Sequence, residues 1–328
     1  MNRLNLPYTG IVSFLRTPVC SDLSALDADV AIIGIPSDEG TRNLPGARFG
    51  PRRVREQSMR FGGGAEKNLG GFWDIDEGRR YLDYELAHGR IVDCGDVDVI
   101  YTKPEATWEN ATSDVRAILA AGALPVVIGG DHAVTYPVVR AHDQGQLTVV
   151  HFDAHLDYLP FIHGITHSHS SPMRNVTALP HVDRVIQVGI RSFRSHERDF
   201  EASRQDGNEI ITVNRLRDSG PSALLDLLPD GPVYVSVDID VLDMPLVPGT
   251  GAAEPDGLSF RELRALLFAV AAKSEVVGFD VVEVNPMLDL PSDATSFLAA
   301  QLLIEFLGRC VEHPMYRGRH PRRDRPGE

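Results

Sequence analysis

Four nearly unbroken apolar runs constrain this chain most: Pro125–Ile128, Thr148–Phe152, Val233–Val237 and Val276–Val282. A strand with one wet face alternates apolar and polar residues. Runs rich in Val and Ile without that alternation are covered on both faces, which is the mark of a parallel sheet between layers of helix. Helical spacing separates them over Ala106–Ala121, about Ala133–His142, 221–228, 260–272 and about Asp293–Leu307. Ala28–Pro36, Ile91–Cys94, Val185–Val188 and Ile210–Val213 read as further strands. Pro51 sits where proline is tolerated at the start of a helix reaching Met59, and the glycines at 62–64 mark a break. The alternation predicts an α/β fold of three layers, α/β/α, with right-handed crossovers and a central, mostly parallel sheet.

Three of these strands end in the same kind of residue. Val149–Phe152 runs into Asp153-Ala154-His155-Leu156-Asp157, and because residues two apart in an extended chain share a side, Asp153, His155 and Asp157 can converge. Tyr234–Val237 runs into Asp238-Ile239-Asp240 in the same manner. Val126–Ile128 leads through Gly129-Gly130 into Asp131-His132, with the glycines allowing a sharp turn and a close approach. All three tips would face the crevice at the carboxyl ends of parallel strands, where open α/β sheets bind ligands. His132, Asp153, His155, Asp157, Asp238 and Asp240 make two imidazoles and four carboxylates without a thiolate. Such a set suits Mn²⁺ or a similar ion, with Ni²⁺ and Co²⁺ accepting like ligands. Six ligands exceed what one catalytic ion with an open position needs, so two ions roughly 3.5–4 Å apart are expected.

Gly-Gly-Asp-His at 129–132, Asp-Ala-His-Leu-Asp at 153–157 and Ser-Val-Asp-Ile-Asp-Val-Leu-Asp at 236–243 resemble the three signatures of the ureohydrolases, the arginase and agmatinase family. Pro45–Pro51, Pro248–Gly251 and Glu283–Pro286 extend the likeness in the family's order over roughly residues 30–305. The resemblance implies an arginase-like fold, hydrolysis of a guanidino C–N bond to urea and an amine, and a homo-oligomer, trimer or hexamer.

The chemistry can also be argued from the residues. A pair of divalent cations brings the pKa of water toward neutrality and so supplies a nucleophile for a planar, unreactive carbon such as that of guanidinium. Glu283, ending the run Val276–Val282, can accept a guanidinium fork. Asp157 can orient the attacking water and carry its proton to the leaving nitrogen. His163, His167 and His169 lie in one loop and are candidate proton carriers. The resemblance favours His169, although Ser170 stands where a glycine is usual. Tyr158 and His163 join Glu283 as expected substrate contacts. His151 reads either as a donor behind the ligands or as a satisfied core histidine, and Asp131 as a group that orients a ligand.

The stretch Tyr158-Leu159-Pro160-Phe161-Ile162 is largely apolar and would leave the amino-acid end of arginine without partners. The Pro-Gly-Thr-Gly-Ala-Ala-Glu-Pro segment at 248–255 resembles agmatinases and guanidino-acid hydrolases, which makes agmatine the first expectation. Guanidinobutyrate, guanidinopropionate, an alkylguanidine and guanidine itself stay open. Two other classes stay open as well: another binuclear hydrolase, and a non-catalytic partner subunit.

With 46 acidic against 32 basic residues, a net charge of −14 argues against a nucleic-acid or membrane-surface binder. Three widely spaced cysteines, Cys20, Cys94 and Cys310, do not form a disulfide framework, so a cytoplasmic setting is expected. No run reaches the roughly 20 apolar residues of a membrane span. Residues 1–312 are expected to form one domain, with 1–27 packed on it as an extension, and 313–328 a flexible tail rich in Arg and Pro.

Overall fold

The computed structural model describes residues 9–61, 70–161 and 163–321. Its centre is an eight-stranded parallel sheet. In chain order the strands are β1 (Val30–Ile35), β4 (Ile91–Asp96), β5 (Leu124–Gly129), β6 (Leu147–Phe152), β7 (Val182–Ile190), β8 (Glu209–Thr212), β9 (Pro232–Asp238) and β10 (Glu275–Val282). β2 (Phe72–Asp74) and β3 (Arg79–Tyr81) form a separate antiparallel hairpin.

Across the sheet the order is β4-β1-β5-β10-β9-β6-β7-β8. After β5 the chain leaves room for two strands before laying down β6, and only the last third fills the gap. Four strands from distant parts of the chain, β5, β10, β9 and β6, thus lie side by side at the middle. Their neighbours cover them on both edges and helices cover both faces, which is why they are mostly apolar.

Against one face pack α1 (Gly50–Ser58), α9 (Phe260–Lys273) and α10 (Ala294–Cys310), through Val54, Leu263, Leu267, Ala299, Leu303 and Phe306 among others. Against the other pack α3 (Pro104–Ala120), α4 (Thr135–Ala141) and α5 (Pro172–Thr177), through Ala111, Val115, Ile118, Val138 and Val176. The expected layers are therefore present. The start of α9 is set by a reciprocal cap: the Ser259 hydroxyl accepts from the Glu262 amide, and the Glu262 carboxylate accepts from the Ser259 amide.

Several elements differ from expectation at their ends or in kind. The helix expected over 221–228 is shorter, α8 (Ser222–Leu225), and an unexpected helix, α7 (Val213–Ser219), precedes it, capped by Thr212 and separated from α8 by Gly220 at φ +67°. The hairpin β2–β3 and the helices α2 (Asp83–Ala87), α5 and α6 (Glu197–Gln205) are too short to leave a clear period in the sequence. The glycines at 62–64 lie outside the described residues. The tail expected to be flexible from 313 begins instead as a helix, α11 (Pro314–Arg319), with Tyr316 buried and Arg319 paired to Glu275 at 2.6 Å. Arg322, Arg323 and Arg325 lie outside the described residues. Near the other end, Phe14 and Leu15 are buried in the core, and the Phe14 amide donates to Asp93.

That same Asp93, midway along β4, and Asp96 at its end are bridged by the buried Arg55 of α1, whose guanidinium lies 2.8 Å from Asp93 and 2.6 Å from Asp96. Removing one member of a buried pair leaves an uncompensated charge, so Arg55→Ala should lower the unfolding free energy by about 3–5 kcal/mol. An unchanged urea midpoint would show that this clamp is dispensable.

Candidate metal centre

Each expected metal ligand sits at or just beyond the carboxyl end of one of three central strands. β6 delivers Asp153, His155 and Asp157; β9 delivers Asp238 and Asp240; β5 delivers His132 through the Gly129-Gly130 turn. Gly130 is required there by packing, since a Cβ would lie 1.8 Å from the Ser37 carbonyl oxygen. β10, lying between β5 and β9, contributes Glu283.

The six residues fall into two overlapping groups that share Asp153. In the first, His132 Nδ1 is 3.1 Å from Asp153 Oδ2, 3.1 Å from Asp157 Oδ2 and 3.2 Å from Asp238 Oδ2. In the second, His155 Nδ1 is 3.3 Å from Asp153 Oδ1 and 3.1 Å from Asp240 Oδ2. His151 belongs with the first group, its Nε2 being 2.8 Å from Asp153 Oδ2, and it is fully buried. It is thus neither an isolated core histidine nor remote from the acids.

The fit to cations can be tested on these atoms. Burial, then repulsion from the neighbouring carboxylates, pushes the Asp238 carboxyl well above its usual range, and burial likewise raises Asp240. Burial alone would lower the His132 imidazole, yet the carboxylates around Nδ1 outweigh it and hold it well above its usual value. The site therefore demands positive charge. Asp240 Oδ2 is buried without a hydrogen bond of acceptable geometry. An oxygen left so is costly unless it has an ion to bind. Oxygen and imidazole donors in this crowding fit divalent cations, which His132, Asp153, Asp157 and Asp238 would hold on one side and Asp153, His155 and Asp240 on the other.

Behind the ligands lies a buried network that the sequence reading did not pick out. Asp280, on β10 beside Ser236 in the sheet register, accepts from Ser236 Oγ at 2.7 Å, Tyr234 OH at 2.7 Å and Thr135 Oγ1 at 2.9 Å. Because Ser236 gives its proton to Asp280, its lone pair accepts from His132 Nε2 at 2.9 Å. That places a proton on Nε2, so a cation displacing the second proton, held among the carboxylates, would meet the Nδ1 lone pair. A lone Asp in the apolar run Val276–Val282 was the available signal. On the far side Glu254 lies 3.5 Å from His155 Nε2 and 2.8 Å from Arg194.

The centre forms the floor of a cavity of about 320 Å³. Its wall includes Arg42, Tyr158, Leu159, His169, Ser170, Arg194, Asp199 and Glu283. Glu283 Oε1 accepts from the His132 amide at 3.0 Å and lies 3.0 Å from His169 Nδ1. Burial opposes charge on His169, but Glu283 outweighs it and raises the imidazole to about 9. Burial also lifts Asp131, which caps the turn at Ala133, to about 7. Glu283 has φ +63° and Asp157 φ +48°, a left-handed backbone that non-glycine residues adopt only where their surroundings impose it.

The remaining expectations divide. His169 is the histidine of its loop that reaches the cavity. His167 packs edge-on against Trp108 with ring centroids 3.8 Å apart, while His163 is exposed and does not line the cavity. His163, at φ +56°, thus stands outside the cavity where a substrate contact was expected of it. Tyr158 lines the wall, but its hydroxyl is committed to Asp206 at 2.6 Å.

A parallel α/β sheet with an acid and imidazole cluster beyond its central strands defines a class, and the comparisons say which. Residues 28–308 match the model of the Arginase family, and the chain belongs to that family. It is 35% identical to the proclavaminate amidinohydrolase of Streptomyces clavuligerus over 92% of this chain and 93% of that one. It is 34% identical to the agmatinase of Bacillus subtilis over 93% and 98%, and 33% identical to the mitochondrial guanidino acid hydrolase of Homo sapiens over 91% and 82%. The solved structure of the Streptomyces enzyme superposes with a TM-score of 0.79, covering 93% of this chain and 99% of its own. The chain is thus an arginase-family ureohydrolase with a His/Asp cluster able to hold metal. Among the described residues no helix is long and apolar enough to cross a membrane.

If the two groups hold cations as argued, Asp153→Ala, which removes the shared carboxylate, should cost both. Elemental analysis after loading with Mn²⁺ is expected to fall from two ions per chain to one or none, and two ions retained would refute the assignment.

Proposed function

We propose that this chain hydrolyses the C–N bond of a linear guanidino compound, releasing urea and an amine, with two divalent cations, Mn²⁺ first among them, held by His132, Asp153, His155, Asp157, Asp238 and Asp240. The observation that carries the proposal is Glu283: a carboxylate at the cavity wall, beside the acid cluster and 3.0 Å from His169.

When bound, the cations supply Lewis acidity and bring the pKa of water toward neutrality. The chain's own residues do the rest. Glu283 accepts hydrogen bonds from the guanidinium nitrogens and so orients the planar carbon over the cluster. That pairing offsets the loss of water around the charged substrate. Asp157 orients the attacking water and takes its proton as the C–O bond forms. The proton then passes to the departing nitrogen as the C–N bond breaks. His169, held protonated at neutral pH by Glu283, stands at the wall to give a proton to the amine and recover one from solvent. Tyr158 and Leu159 supply an apolar side to the cavity.

Relatives acting on agmatine and on guanidino acids are about equally similar, so likeness alone does not choose the tail. A non-catalytic subunit is disfavoured by the convergence of all six ligands with Glu283. Urea release from agmatine, guanidinobutyrate, guanidinopropionate, arginine, methylguanidine and guanidine, with several metals, tests the proposal. Glu283→Ala should keep its metal content and lose at least a hundredfold in kcat/KM; full turnover by that variant would refute the role of Glu283.

A further inference from the structure

Above the acid cluster and Glu283 the charges of the cavity wall do not cancel. Arg194 is paired with Glu254 at 2.8 Å and also donates to the Ala252 carbonyl at 2.8 Å. Asp199, buried at the same wall, has Arg198 3.3 Å away. Arg42 has no such partner: among the described residues it makes no ion pair, and its Nη2 donates to the Ser170 hydroxyl at 3.1 Å. Ser170 directly follows His169, so the Arg42 guanidinium is tethered one residue beyond the histidine that faces Glu283. Ser170 is also absent from the positive-φ residues, so a glycine is not needed here and the hydroxyl is free to serve as the tether.

A substrate seated with its guanidinium on Glu283 extends its tail along a wall whose uncompensated charge is positive. We propose that this tail ends in a carboxylate, making the substrate a linear guanidino acid, and that Arg42 is the residue that recognises it. The inference rests on the guanidino-hydrolase reading of the cavity and chooses within it. An arginine fork matches a carboxylate with two parallel hydrogen bonds. An ammonium tail would meet a like charge, which is how a site rejects the wrong partner as well as holding the right one. The chain's net charge of −14 acts in the opposite sense, but it is screened over roughly 8 Å at physiological ionic strength, whereas Arg42, though exposed to solvent, lines the wall and would meet the tail directly.

The test compares kcat/KM for 4-guanidinobutyrate and agmatine, which are similar in length and opposite in tail charge, using the metal-loaded wild type, Arg42→Gln and Arg42→Glu. The wild type should prefer the acid by about tenfold or more. Arg42→Gln should lose that preference, chiefly through KM for the acid, and Arg42→Glu should reverse it. Thermal stabilisation by saturating 4-guanidinobutyrate should shrink in both variants, giving a readout independent of turnover. A wild type that prefers agmatine, or a preference unmoved by either substitution, would overturn the proposal. Urea from none of the guanidines at full metal loading would overturn the reading beneath it, and the proposal too, a result distinct from turnover with the other tail preferred.

Discussion

Four carboxylates and two imidazoles crowd into a nearly dry volume at the end of a sheet, and the electrostatic cost of that crowding governs the rest of the molecule. Anions brought together this way repel one another and lose their hydration. The fold must hold them by force of packing, and the centre must receive positive charge. Both requirements are visible in the residues. The packing is the block of Val and Ile along β5, β10, β9 and β6, buried from both sides. The demand for charge shows in the raised carboxyls of Asp238 and Asp240 and in the buried Asp240 Oδ2, which lacks a well-formed hydrogen bond.

The supporting network follows from the same constraint. A cation among these acids could take the His132 imidazole as a ligand only through a lone pair that points inward, and the Ser236 hydroxyl, set between Asp280 and His132 Nε2, supplies that orientation. Glu283 plays two parts: its Oε1 caps the His132 amide and holds His169, while the carboxylate remains at the cavity wall. The acid cluster and Glu283 therefore share one framework, since these groups stand at strand ends or the turns that follow.

Much of this was legible in the sequence because two simple periodicities record it. Burial on both faces writes an unbroken apolar run, and that placed the four central strands within a few residues. An extended chain puts alternate residues on one side, and that picked out Asp153, His155 and Asp157 together, then Asp238 with Asp240. What was missed lacks a period. Short elements such as Phe72–Asp74 and Pro172–Thr177 are built by tertiary contacts. The loop at 161–170 could be read only as a cluster of histidines, since nothing local says that residue 163 turns outward while His169 turns in. Asp280 was hidden for the opposite reason, being one polar residue in a strand whose neighbours made it look like ordinary core.

The strand order carries a consequence for how the chain comes to be made. β1 and β4–β8 are all synthesised before β9 and β10 exist, yet those two belong in the middle. Until residue 282 has left the ribosome, β5 and β6 each present a bare, apolar edge of unmatched amides and carbonyls, the kind of surface that templates association with other chains. Closure of the sheet and completion of the acid cluster thus wait on the same late strands, β9 and β10.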